Sequence, residues 1–88
     1  MANFMGGSAP AMASQIADGF ILLNLGSLKS FLPGELALLR QELEKLQRDT
    51  RAEVPPPDDA LATQARHRKI ARITSAIQVV QNRMTARG

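Results

Sequence analysis

The segment EVPPPDD, residues 53–59, separates the two longest helical patterns of the sequence. Three consecutive prolines cannot lie inside a helix, because proline lacks a backbone N–H and restricts the residue before it to extended conformations. Asp58 is a favourable N-cap for a helix that follows, and Asp59 adds negative charge at the N-terminus of that helix. The segment therefore predicts a proline-rich turn at residues 54–58 within an antiparallel helical hairpin.

The residues before the prolines repeat leucine at alternating spacings of four and three, which is the a/d pattern of a coiled coil. The members of this seam are Leu32, Leu36, Leu39, Leu43 and Leu46. Pro33 suits the first turn of a helix, where a backbone N–H would have no helical partner. Glu35 in the same turn favours the positive end of the helix dipole. The pattern predicts a helix over residues 33–53.

A second apolar seam with the same alternating spacing follows the prolines and predicts a helix over residues 59–86. Its members are Ile70, Ile73, Ile77, Val80 and Met84. Folding the chain about Pro56 brings the two seams together. This register predicts that Leu39 contacts Ile73 and that Leu36 contacts Ile77.

The N-terminal part carries apolar side chains on nearly every side of a helical wheel, which predicts a helix at residues 11–26 that is buried almost all round. One apolar row contains Met12, Ile16, Phe20 and Leu23, and a second contains Ala17, Ile21, Leu25 and Leu28. Residues 1–10, with a glycine pair and a proline, are expected to form a flexible arm. The sequence thus predicts an all-α fold, with a short N-terminal helix and a long antiparallel, coiled-coil-like hairpin in one domain over residues 11–88.

The composition argues against several kinds of functional site. The 88 residues include no cysteine and a single histidine, His67, so disulfides and cysteine- or histidine-rich zinc sites are excluded. No nucleophile, base and acid pattern and no phosphate-binding glycine loop is present. We therefore expect a protein that is not an enzyme, with no catalytic residues, no cofactor and no metal.

The distribution of charged and apolar residues also bears on location. The first basic residue is Lys29, so no positively charged region precedes an apolar run as it does in a secretory signal. No apolar run approaches the length of about 20 residues that a membrane span requires. We expect no membrane span and an intracellular location, either cytoplasmic or nuclear.

An N-terminal helix with apolar side chains all round has more apolar surface than a short hairpin can cover. A chain of this size buries only about 60% of the surface that its unfolded form exposes. We therefore expect a small subunit or adaptor that completes a larger protein assembly, with a hetero-complex favoured over a homo-oligomer. The residues predicted to contact the partner are Ile16, Phe20, Leu23, Leu25 and Leu38.

The basic run RHRKIAR, residues 66–72, supports an alternative function. Arg68, Lys69 and Arg72 could contact an acidic partner, either a nucleic acid, an acidic protein surface or an anionic membrane. Nucleic acid is disfavoured, because no aromatic residues interleave the basic ones. Arg68 and Arg72 are predicted to point away from the seam and to be dispensable for folding. Arg66 and Lys69 could instead pair with acidic residues across the hairpin, which would leave the run a solvated helix face.

Overall fold

A computed structural model describes residues 7–85 of the chain. These residues form three α-helices and one short 3-10 helix, and no strand occurs among them. The helices are α1 (Ala9–Ala17), the 3-10 helix (Gly26–Leu28), α2 (Pro33–Ala52) and α3 (Ala60–Thr85). The predicted all-α class, with a short N-terminal helix before a long hairpin of α2 and α3, is confirmed. Within the described residues, no helix has both the length and the apolar character that crossing a membrane requires.

Helix α1 begins earlier than the sequence pattern predicted. Ser8 is its N-cap, and the Ser8 Oγ accepts a hydrogen bond from the Ala11 N–H at 3.2 Å. Pro10 lies in the first turn, where its missing N–H leaves no helical hydrogen bond unmade. Residues 8–10 therefore belong to the helix start and not to the expected flexible arm. Of the remainder of that arm, Gly7 is exposed with a φ of 96°, and residues 1–6 lie outside the described residues.

Helix α1 also ends at Ala17, so the predicted helix over residues 11–26 is wrong in its C-terminal half. Gly19 has a φ of 85°, a left-handed conformation that glycine adopts without the steric cost of a Cβ. The Gly19 N–H donates to the Ile16 carbonyl at 3.1 Å, and the Phe20 N–H donates to the Gln15 carbonyl at 2.9 Å. These two bonds form a Schellman motif, which satisfies the last carbonyls of the helix and turns the chain away.

The chain between α1 and α2 is irregular but held by local hydrogen bonds. The Ser27 N–H donates to Asn24 Oδ1 at 2.9 Å, and the Asn24 N–H donates to Ser27 Oγ at 3.2 Å. This reciprocal pair fixes the entry to the 3-10 helix. Leu23, Leu28 and Phe31 are buried and anchor the segment to the helices.

The starts of the two long helices are capped by acidic side chains. The Leu32 N–H donates to Glu35 Oε1 at 2.9 Å, which supplies an acceptor at the start of α2 in addition to the predicted dipole interaction. At α3, the Ala62 N–H donates to Asp59 Oδ1 at 2.9 Å. Asp59 is therefore the N-cap in place of Asp58, which lies in the turn before it.

One apolar core joins α1, the segment after it and the hairpin. The largest fully buried side chains in this core are Met12, Leu28, Leu39, Leu43, Ile73 and Val80. Leu46, Ile77 and Met84 are partly buried against it. Both predicted seams therefore lie largely in the core of the chain itself, except that Leu32 is exposed where α2 begins and that Ile70 is half-buried outside the core cluster.

The register of the hairpin differs from the predicted one. Gln47 Nε2 donates a hydrogen bond to Thr74 Oγ1 at 2.8 Å. In the predicted register, Arg66 lies opposite Gln47, and Thr74 is eight residues further along α3. At a rise of about 1.5 Å per residue, that separation is about 12 Å, which is more than these two side chains can bridge. The predicted facing pair Leu39 and Ile73 is therefore displaced.

The same shift of α3 along α2 separates the predicted pair Leu36 and Ile77. The proline-rich turn between the two helices explains this shift. The polyproline II conformation advances about 3.1 Å per residue, twice the rise of an α-helix. The extended residues after α2 therefore carry the chain beyond the end of that helix before α3 returns. Arg66 accordingly reaches the last turn of α2, where it donates to the Arg51 carbonyl at 2.9 Å.

We expect Leu39→Ala to lower the free energy of unfolding by about 2–5 kcal/mol, because it leaves a cavity at a fully buried position. The neighbouring change Leu38→Ala is the matched control, and we expect it to cost no more than about 0.5 kcal/mol, because Leu38 lies at the surface. Urea unfolding followed by circular dichroism measures both. Equal losses for the two variants would contradict this placement of the core.

Candidate interaction surface

The segment between α1 and α2 presents three large apolar side chains to solvent. Phe20 is 81% exposed, Leu22 is 89% exposed and Leu25 is 49% exposed. We refer to Phe20, Leu22 and Leu25 as the loop surface. These three exposed apolar residues fall within six positions, and contiguous apolar patches mark interaction sites on many proteins, so the segment is a candidate interaction surface.

Side chains alternate between solvent and core along this segment. Leu22 is exposed, Ile21 packs partly against the core, and Leu23 is buried. Successive side chains of an extended chain point to opposite sides, so the buried residues fix the direction of the exposed ones. The exposure of Leu22 therefore follows from the anchoring of Leu23.

The structure separates the five residues that were predicted to contact a partner. Ile16 is only 2% exposed and Leu23 only 6% exposed, so the prediction that they face outward with Phe20 is wrong. The reason is the turn at Gly19, which breaks the helical row that would have aligned these three residues. Phe20 and Leu25 belong to the loop surface, and Leu38 is exposed on α2.

Leu22 is the residue of the loop surface that the helical pattern did not predict to be exposed. A helix that ends before Gly19 and continues as extended chain would have placed the side chains of Leu22 and Leu23 on opposite sides of the backbone. The aspartate–glycine pair at positions 18 and 19 was the available signal, since glycine commonly follows the last residue of a helix.

Arg72 does not point away into solvent as predicted. Its Nε donates a hydrogen bond to the Ala17 carbonyl at 2.9 Å, and the residue is half-buried. That carbonyl lies in the last turn of α1, where backbone acceptors lack helical partners and the helix dipole is negative. Arg72 therefore caps α1 and fixes the point from which the loop surface begins.

Two further arginines of α3 also bind backbone carbonyls. Arg66 donates to the Thr50 and Arg51 carbonyls at the end of α2, at 3.3 and 2.9 Å. Arg83 donates to the Lys29 carbonyl, just after the 3-10 helix, at 3.4 Å. Arg66 thus does reach across the hairpin, but it binds backbone carbonyls of α2 and not acidic side chains.

The basic run is consequently divided between structure and solvent. Of the three residues predicted to contact an acidic partner, Arg72 is committed to α1, Arg68 is exposed and Lys69 is half-buried. Lys69 lines an open groove of about 620 Å³ beside the proline-rich turn. Of these three residues, a partner could thus reach Arg68 fully and Lys69 in part.

A smaller groove, of about 250 Å³, lies against the loop surface. It lies between the segment after α1 and α3, and Ala76 and Val79 line it on the side of α3. Leu22, Gly19 and Arg72 also line it. Among the described residues, no group of three or more histidine, aspartate or glutamate side chains is placed to hold a metal ion.

Comparison with known proteins identified no related family, no related curated protein and no similar solved structure for this chain.

We expect Arg72→Met to lower the free energy of unfolding by about 1–2 kcal/mol, because it removes a charged donor from the Ala17 carbonyl but keeps an unbranched apolar stem. Arg68→Met is the matched control and should change stability by no more than about 0.5 kcal/mol. Thermal and urea unfolding measure both. An Arg72→Met protein as stable as Arg68→Met would show that this cap does not hold α1.

Proposed function

We propose that this chain is a small helical adaptor or subunit that completes a larger protein assembly through its loop surface. The observation that supports this proposal is the exposure of Phe20 and Leu22 on a segment whose two ends are fixed. Gly19 and Arg72 hold the start of this segment, and the Asn24–Ser27 hydrogen bonds hold its end. Apolar side chains on a fixed loop offer a partner a preformed surface, which lowers the entropy cost of binding.

The energy available from the loop surface is sufficient for specific association. Full burial of a phenylalanine or leucine side chain contributes about 1.5–3 kcal/mol. Phe20 and Leu22 together therefore supply several kcal/mol, and Leu25 adds to this. The groove beside Leu22 gives a partner's side chain a place to insert, and inserted apolar anchors dominate binding energy in many interfaces.

The fold is suited to a non-enzymatic role of this kind. Helices α1, α2 and α3 bury their own seams, so the loop surface does not compete with the core for the same side chains. A partner that differs from this chain remains our preferred assembly.

Binding of an acidic polymer or an anionic membrane through Arg68 and Lys69 is the weaker alternative. Two positive side chains provide few phosphate contacts, and Arg72 already binds the Ala17 carbonyl. Salt dependence separates the two proposals. Binding through the basic side chains weakens steeply as salt rises, whereas apolar burial is insensitive to salt or strengthens with sulfate.

We expect the double change Phe20→Asp with Leu22→Asp to abolish partner binding, because two buried carboxylates would replace two apolar anchors. Affinity purification of the tagged full chain from its native cells, with quantitative mass spectrometry, measures the loss. We expect the specific partners to fall at least tenfold in abundance. Circular dichroism should show unchanged helicity.

The matched control is Leu61→Asp, which changes a similarly exposed leucine in the first turn of α3. Leu61 lies eleven residues before Arg72, about 16 Å along the helix, so this variant should retain the partners of the loop surface. Equal recovery of partners by the unchanged chain, the double variant and Leu61→Asp would contradict the proposed role of the loop surface. Light scattering of the purified chain tests whether a second copy of the chain covers the loop surface instead, because the chain would then form concentration-dependent dimers.

A further inference from the structure

The proline-rich turn is a prominent sequence feature to which the proposed function gives no role. Val54, Pro55 and Pro56 each precede a proline, which restricts each of them to extended or polyproline II conformations. Glu53, with φ −82° and ψ 105°, continues the same extended course from the end of α2. We define residues 54–57 as the proline ridge.

Most of the proline ridge is presented to solvent. Val54 is 81% exposed, and Pro56 and Pro57 are also exposed. Pro55 is half-buried, and together with Val54 and Pro56 it lines the groove of about 620 Å³ against α3. A polyproline II helix has three residues per turn, so its side chains point in three directions, and the edge that carries Pro55 is the one most turned toward the protein.

The backbone of the proline ridge is fixed by a hydrogen bond and has carbonyls that can accept hydrogen bonds from a partner. The Asp59 N–H donates to the Pro56 carbonyl at 3.0 Å, which closes a turn with Pro57 at its second position. Within the described residues, no hydrogen bond reaches the carbonyls of Val54 or Pro55. These carbonyls are therefore free to accept hydrogen bonds from a partner, as the solvated backbone of a polyproline II segment does.

The charges around the proline ridge are arranged asymmetrically. Glu53 precedes it and Asp58 follows it, and both side chains are exposed. Glu53 lines the groove together with the basic residues Arg66 and Lys69, whereas Asp58 does not line it. A partner that approaches the ridge from outside the groove therefore meets the negative charge of Asp58 at the C-terminal end of an apolar ridge.

We propose that the proline ridge docks into a groove of another protein that is lined by aromatic side chains and bordered by lysine or arginine. Aromatic grooves bind polyproline II segments because the ligand is already extended and loses little entropy. Tyrosine and tryptophan side chains can donate to the free carbonyls, and Asp58, which lies outside the groove, selects a basic rim. The proposal does not depend on the loop surface and gives the chain a second contact.

The test titrates the ¹⁵N-labelled full chain with a recombinant EVH1 domain chosen for an aromatic groove with a basic rim. An SH3 domain with an acidic rim is titrated in parallel. We expect the EVH1 domain to shift the amide signals of Glu53, Val54 and Asp58 and to leave that of Leu22 unshifted, with binding at least tenfold weaker for the SH3 domain. Unshifted signals of these three residues in the presence of the EVH1 domain would overturn the proposal.

Variants of the full chain separate docking from loop stiffness. Pro56→Ala should weaken EVH1 binding at least tenfold, and Asp58→Asn about threefold at low salt, with the second difference lost at high salt. Leu38→Ala is the matched control, because Leu38 is 51% exposed on α2, away from the ridge, and it should bind as the unchanged chain does. Equal weakening by Leu38→Ala and Pro56→Ala would also overturn the proposal.

The two proposals fail independently. The Phe20→Asp and Leu22→Asp double variant should retain EVH1 binding, because it leaves the proline ridge intact. Pro56→Ala should likewise retain the partners of the loop surface. Urea unfolding of each variant verifies that the protein tested is folded, so a loss of binding reports on the surface that was changed.

Discussion

Burial of one apolar seam between α2 and α3 is the constraint on which the rest of the structure depends. Two helices can bury only the faces that they turn toward each other, and a chain of 88 residues has little else from which to form a core. Helix α1 supplies a second side, since Met12 and Ile16 join Leu39, Leu43 and Ile73 in one cluster. The position of α1 then decides which apolar side chains of the following segment reach the core and which stay in solvent.

Arginines of α3 hold the other elements in place around that seam. Arg72 binds the end of α1, Arg66 binds the end of α2, and Arg83 binds the chain after the 3-10 helix. Each guanidinium donates to a carbonyl near a helix end, where helix geometry leaves acceptors available. Arg66 and Arg72, two members of a basic run that suggests an acidic ligand, thus join helix ends, and the long stems of these arginines extend a small core.

The loop surface and the proline ridge differ in the chemistry that each offers a partner. The loop surface presents apolar side chains beside a groove, whereas the proline ridge presents a stiff backbone, prolines and flanking acids. Both are fixed at their ends by hydrogen bonds within the chain, so neither needs to become ordered on binding. The two surfaces underlie the proposal of an adaptor that holds two different proteins together.

The sequence by itself determined the helical class, the two long helices to within one or two residues and the break between them. Those features follow from apolar spacing, prolines and caps, which are written in consecutive residues. Only the tertiary structure decided the hairpin register, the burial of Ile16 and Leu23, the exposure of Leu22 and the role of Arg72. The end of α1 is intermediate between features set by local sequence and features set by tertiary contacts. Gly19 is a local signal for the end of a helix, but the apolar row that continues beyond it favoured a longer helix. Register and burial depend on contacts between residues far apart in the chain, and several arrangements satisfy the same local pattern until the whole core is packed.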